Sequence, residues 1–148
     1  MFRLKLSNHF IICGAGRVGS KVAEELKERN IPFIIIEKNP KVVKKLKSEG
    51  YKVIEGDCLD EDVLRSANIE KCKGVIACMG EDEDNLFVVL TAEQVNRKII
   101  TISRANDESA IEKLKSVNVD YIVMPELMGA KEIANIVLKE MVESELKE

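Results

Sequence analysis

An apolar run of strand length, His9-Phe-Ile-Ile-Cys13, leads directly into Gly14-Ala-Gly-Arg-Val-Gly19, and an amphipathic pattern (Val18, Val22, Ala23, Leu26) follows. Strand, glycine turn, helix is the order of a dinucleotide fingerprint. Gly14 allows the tight turn, Gly16 lets another group approach the backbone, and Gly19 lets helix and strand pack closely. The helix start then offers N–H groups and the positive end of its dipole to a phosphate. The three glycines alone also fit a tight turn that holds no ligand.

A second signal favours the ligand. Phe33-Ile-Ile-Ile-Glu37 is another apolar run, and its terminal carboxylate stands 18 positions past Gly19. A ribose-binding acid belongs at that place. Glu37 would accept hydrogen bonds from a ribose diol and repel a 2′-phosphate. NAD(H), or else ADP or ATP, is therefore expected in preference to NADP(H).

The remaining chain repeats the alternation. Strands are expected at 9–13, 33–37, 52–55, 74–78, 98–103 and 120–123. Helices are expected at 17–29, from Asn39-Pro40 to Gly50, after Asp60, from the acidic segment Glu81–Asp84 onward with Leu86, Val89, Leu90 and Ala92 on one side, at 107–116, and at 127–147 beyond a break at Pro125. Six strands alternating with helices predict an α/β fold, a doubly wound parallel sheet in order 3-2-1-4-5-6. Its ligand crevice lies at the carboxyl ends of strands one and four. The organisation is a lobe over 1–126 and a trailing helix over 127–148.

Composition narrows the function classes. At 45% hydrophobic and 33% charged residues, the 148-residue chain has the makings of one folded domain. A net charge of −3, no Trp and 4% aromatics argue against a nucleic-acid surface. Cys13, Cys58, Cys72 and Cys78 show no CxxC spacing and His9 stands alone, so no metal site is expected. Cys13 and Cys78 read as small buried hydrophobes; a redox role for Cys58 or Cys78 beside the nucleotide is the alternative. Free thiols suit a reducing cytosol. The alternating start (Phe2, Arg3, Leu4, Lys5, Leu6) is too short for a signal peptide, and no run reaches the ~20 apolar residues of a membrane span. Any membrane-spanning part would lie elsewhere.

Strand carboxyl ends supply the remaining site residues. Asp57 stands either to bond an adenine edge or to cap its own turn. Gly80, after Met79, admits a cofactor or marks a turn. Arg104 pairs with phosphate or with a carboxylate in a salt bridge. Asp82, Asp84 and Asn85 cap the fourth helix, with a divalent ion as the other reading.

Certain chemistry is missing. No Lys follows the glycines, so the loop is no Walker A site, and no His or Tyr-Lys pair offers a proton relay. No residues remain for a substrate domain. A bound nucleotide would then be a signal rather than a reagent. The trailing helix carries Ile133, Ile136, Val137, Met141 and Val142 at helical spacing. That stripe is either a dimer surface or a face packed back on its own domain.

With these residues in place the chain resembles the RCK/KTN family, the TrkA-N-like cytosolic nucleotide-binding domains that regulate potassium channels and potassium transporters. The resemblance runs through His9–Gly19, Glu37, Gly56-Asp57 with Leu64, Glu81-Asp-Glu-Asp-Asn-Leu86, Ser103-Arg-Ala105, and Asp120-x-x-Val123-x-Pro125. It implies a Rossmann-like lobe that dimerises and assembles into a ring, an octameric one, whose shape change acts on a membrane pore. By matching position it assigns Gly14, Ala15, Gly16, Arg17, Val18, Gly19, Glu37, Lys38, Asp57, Cys58, Met79, Gly80 and Arg104 to the nucleotide. It implies that the last helix crosses to a partner subunit. Many members carry a second carboxy-terminal lobe, before which this chain stops. Calcium-gated members place acids where this chain has Ser103 and Arg104, so the nucleotide version is expected. The rival functions are a small NAD-dependent oxidoreductase subunit lacking its substrate domain, and an oligomerisation module with an empty crevice.

Overall fold

Runs of Ile and Val too uniform for a half-exposed strand call for a sheet covered on both faces. The computed structural model describes residues 6–147, leaving the Phe2–Lys5 alternation outside. One six-stranded sheet runs in the order β3-β2-β1-β4-β5-β6, all parallel. Its strands are β1 (Phe10–Cys13), β2 (Phe33–Glu37), β3 (Val53–Glu55), β4 (Gly74–Ala77), β5 (Ile100–Arg104) and β6 (Tyr121–Val123). The predicted winding is the observed one.

Period-two alternation sorts the core. Ile12, Ile35 and Ile76 face helices α1 (Arg17–Glu28) and α2 (Pro40–Ser48), meeting Ala23 and Leu46. Ile11, Ile34, Ile36 and Val75 face α3 (Glu61–Ser66) and α4 (Asp82–Val95), meeting Leu64, Val88 and Val89. A smaller cluster (Ala105, Ala110, Leu114) seats α5 (Ser109–Ser116). The register pairs Cys13 with Ile36 and Ala77, and Ala77 with Ser103. Four strands therefore reach the same rim, and the winding reverses between β1 and β4.

Local chemistry sets the helix ends. Asn39 and Asp60 cap α2 and α3 by accepting the Lys41 and Asp62 N–H groups at 3.0 and 2.9 Å. After α1, α3 and α5 the chain turns through Asn30, Asn68 and Asn118 in the left-handed conformation, as it does after α2 through Gly50.

Three expectations need correction. Pro125 does not break the chain: it opens α6 (Pro125–Lys147), since a proline costs nothing at a first helical position. The buried side of α4 is Val88, Val89 and Ala92, while Leu90 and Phe87 are exposed. Leu86 to Leu90 is an unbroken apolar run that wraps the middle of that helix, so spacing alone does not select its face. Asn85 does not cap α4; it is fully buried within it.

Helix α6 is 23 residues long, about 34 Å at 1.5 Å per residue. None of its residues is buried, and Ile133, Ile136, Val137, Leu138 and Met141 are all more than half exposed. It does not pack back on its own domain.

Candidate nucleotide site

Gly14 follows β1 with φ +93°, and its N–H donates to the Ile36 carbonyl at 3.0 Å. A Cβ here would lie 2.9 Å from Met79 Cγ and 3.3 Å from the Cys78 carbonyl oxygen, so conformation and space both demand glycine. A Cβ on Gly19 would collide with the Gly14 carbonyl oxygen. Gly16 differs: it is exposed, and a Cβ there would meet nothing within 4 Å. The approach to the start of α1 is open. No side chain caps that start and no acid occupies its first turn, whereas α2 and α3 are capped from within. The uncapped N–H groups and the dipole favour an anion.

Glu37 ends β2 beside this turn. Its Oε1 accepts the Ala15 N–H at 2.9 Å and its Oε2 accepts the Asn39 N–H at 2.7 Å. The carboxylate thus braces the glycine loop against the β2–α2 loop. Each oxygen retains a further acceptor position for a ribose hydroxyl.

A cleft of about 160 Å³ opens between these loops. Seven predicted residues line it: Gly14, Glu37, Lys38, Asp57, Cys58, Met79 and Gly80. Glu81 and Asp84 line it too, although the sequence reading gave Glu81 a helix start and Asp84 a helix cap or a divalent ion, and neither of them the nucleotide. Asp57 is exposed and accepts the Leu59 N–H through Oδ1 at 2.9 Å, the turn-capping alternative, while still facing the cleft. Nothing lies within 4 Å of a Cβ on Gly80.

The Met79–Gly80 rim is held from behind. Asn85 Oδ1 accepts the Met79 N–H at 2.9 Å, and Asn85 Nδ2 donates to the carbonyls of Met79 at 3.0 Å and Arg104 at 3.2 Å. Asn106 Nδ2 donates to Met79 O at 3.1 Å. Asp82 does not cap its own helix either; it accepts the Asn106 and Asp107 N–H groups at 2.6 and 3.0 Å, tying α4 to the loop before α5. Asn85 follows Glu81-Asp-Glu-Asp84 in the sequence, so nothing local distinguishes this buried amide from a helix cap; its burial is what requires it to serve backbone groups.

The other predicted residues lie around the cleft rather than in its lining. Ala15 and Gly19 are buried beneath the turn, and Gly16 is at its rim. Arg17 is exposed, while Val18 is half-buried against the Ile12, Ile35 and Ile76 layer; both line a groove with Lys21 and Val22. Arg104 ends β5, and its Nη2 donates to Glu126 Oε1 at 2.8 Å.

The thiols are not poised for chemistry. Cys13 is raised well above the ordinary value, first by its hydrogen bond to Cys58 and then by burial. Burial pushes Cys72 up to about 12 and Cys78 up to about 11, with Arg104 pulling Cys78 the other way. Cys58 is 4% exposed. Nucleophilic thiols need the opposite environment. His9 is buried, with Nε2 2.8 Å from the Ala67 carbonyl oxygen, and acts as a core strut.

Residues 10–125 match the family model described as the TrkA-N domain. The chain belongs to the TrkA-N family. Potassium channel protein 1 of Methanocaldococcus jannaschii is 40% identical over 136 residues, which cover 90% of this chain and 41% of that protein. This TrkA-N chain therefore spans about two-fifths of the channel it matches. The TrkA-N domain of the inner membrane protein ybaL from Escherichia coli superposes with a TM-score of 0.81 at 27% identity, covering 92% of this chain and 98% of that one. The RCK domain of GsuK superposes at 0.79 and 27% identity, covering 92% and 29%. The GsuK channel has also been solved bound to NAD, with a TM-score of 0.72 at 24% identity over 82% of this chain and 22% of that one.

Proposed function

We propose that this TrkA-N domain is a cytosolic regulatory module that binds NAD(H), or ADP or ATP, and passes the binding state to a membrane potassium channel or transporter. The observation that carries the reading is the Glu37 carboxylate, held at 2.9 Å on the glycine loop beside an uncapped helix start and facing an open cleft. Family membership and the NAD-bound GsuK channel support the ligand class. Among the described residues no helix is long and apolar enough to cross a membrane, so a pore would be supplied by other segments or subunits. In this reading the domain acts as a sensor rather than an enzyme, its cleft residues holding and orienting a nucleotide.

The mechanism follows from the exposed apolar helix. Two copies bury the α6 stripe against each other's lobes, and nucleotide binding shifts the balance between two arrangements of that dimer, or of a ring built from it. A coupling of about 1–3 kcal/mol per site is enough for a useful response. Calorimetric titration of NADH, NADPH, ADP and ATP tests the ligand, with NADH expected to bind more tightly than NADPH. Turnover of NADH lost on Glu37→Ala would return the oxidoreductase reading, and a protein that binds no nucleotide would return the oligomerisation module.

A further inference from the structure

Arg104 ends β5, Glu126 stands in the first turn of α6, and their side chains meet at 2.8 Å. The pair joins the rim of the sheet to the root of a helix with no buried residue. Its two members are unequal. The Arg104 side chain is 15% exposed and that of Glu126 is 61% exposed. The guanidinium is held by the protein, while the carboxylate is a solvent-side partner that is readily given up.

Two observations show that the guanidinium is underused. Its Nε is buried and makes no hydrogen bond. A buried donor without a partner is costly, and a planar fork satisfied at one corner has room for a bidentate acceptor. Its position also serves another element. Ile102 packs into the layer beneath α1 and α2, residues two apart on a strand share a face, and the Cys78 thiol on that layer feels the charge of Arg104. The guanidinium therefore lies on the side of the sheet where α1 opens its uncapped start.

We propose that Arg104 is a latch: a phosphate seated at the start of α1 takes the guanidinium from Glu126 and releases the root of α6. The inference rests on the nucleotide reading of the cleft. A phosphate offers two oxygens to the fork and more charge than a carboxylate. The released Glu126 remains favourable in the first turn of a helix, where the dipole welcomes an anion. Competition is reciprocal, so Glu126 weakens binding of a phosphate-bearing ligand by the factor that the ligand weakens the ion pair. A ligand with no phosphate leaves the latch closed.

The test is calorimetry on the whole chain with ADP and with adenosine, in the parent, Glu126→Gln, Arg104→Gln and the double variant. Glu126→Gln is expected to bind ADP about 3- to 5-fold more tightly, the range of an exposed ion pair, with adenosine unchanged. Arg104→Gln weakens ADP, and adding Glu126→Gln to it changes nothing further. Amide hydrogen exchange over residues 126–130 rises with ADP and not with adenosine. Parental ADP affinity in Glu126→Gln, or equal tightening for adenosine, overturns the latch and leaves the nucleotide site standing. A parent that binds neither ligand overturns both.

Discussion

Glu37 Oε1 and the Ala15 peptide nitrogen, 22 positions apart in sequence, lie 2.9 Å apart across the mouth of the glycine turn. The residue expected to hold a ribose is thus also the residue that holds the glycine loop in shape. Ala15 is 6% exposed, and Glu37 Oε1 is the acceptor that satisfies its N–H.

Glu37→Ala should therefore act on stability and on binding together. An unsatisfied N–H at Ala15 costs about 1–3 kcal/mol, and the loss of the ribose acceptors weakens NADH binding by about tenfold or more. Urea unfolding reads the first and calorimetry the second. Full parental stability in Glu37→Ala would show that the brace is dispensable.

The first and second glycines should separate fold from ligand. Gly14→Ala forces a side chain into φ +93° and toward Met79 Cγ at 2.9 Å, a combined cost of about 2–4 kcal/mol. Gly16→Ala meets nothing within 4 Å, so its stability stays within about 0.5 kcal/mol of the parent while its methyl stands where a phosphate approaches. A shift of the urea midpoint in Gly14→Ala alone, and a loss of nucleotide affinity in Gly16→Ala, are the expected pair of results. Normal nucleotide binding by Gly16→Ala would move the phosphate away from this turn.

Asn85 makes the strongest structural prediction outside the cleft. It is fully buried and serves three backbone groups, Met79 N and O in the loop after β4 and Arg104 O at the end of β5. Asn85→Leu keeps the volume and strands all three, costing about 3 kcal/mol or more in urea unfolding. A variant as stable as the parent would mean that water or Asn106 replaces the amide.

How much of this was legible in the sequence depended on whether a signal was local. The strand order came through because Ile and Val runs, Pro40, Asp60 and the glycines each fix an element by their own chemistry. The Glu37 position came through because it is set by strand length. Asn85 did not, because a polar residue at a helix start looks the same whether it caps its own helix or crosses to a neighbouring strand. Asp82 misled for the same reason. Asn30, Asn68 and Asn118 end their helices by a conformation that the bare sequence shows less plainly than Gly50 does. The face of α4 was undetermined because it is apolar on both sides. The pairing of Arg104 with Glu126 joins a strand end to a helix start 22 positions away and depends on α6 beginning at Pro125.

The buried thiols predict an alkaline limit to stability. Cys72 and Cys78 are raised from 9.0 to about 12 and about 11, so the folded protein keeps protons that the unfolded chain loses. Their contribution is complete below pH 9 and declines as pH rises toward those values, at about 1.4 kcal/mol per pH unit for each thiol. Urea midpoints at pH 8, 9 and 10.5 should fall over the last interval. A Cys72→Ala, Cys78→Ala double variant should show a shallower fall, and an identical slope would remove the thiols as the cause.

The apolar stripe of α6 carries the assembly prediction. Ile136 is 53% exposed and Val137 57%, in a helix that buries none of its residues against its own lobe. Apolar surface on that scale is expected to be covered by another chain. Tyr121, in register with Ile102 on the edge strand β6, is also 63% exposed. Ile136→Glu places a charge in the centre of the stripe, where burial without a partner costs several kcal/mol. Sedimentation should show dimers in the parent and monomers in Ile136→Glu, with unchanged urea unfolding of the lobe, since the position touches none of the core. Dimers that persist in Ile136→Glu would place the subunit contact elsewhere, and a monomeric parent would remove α6 from assembly altogether.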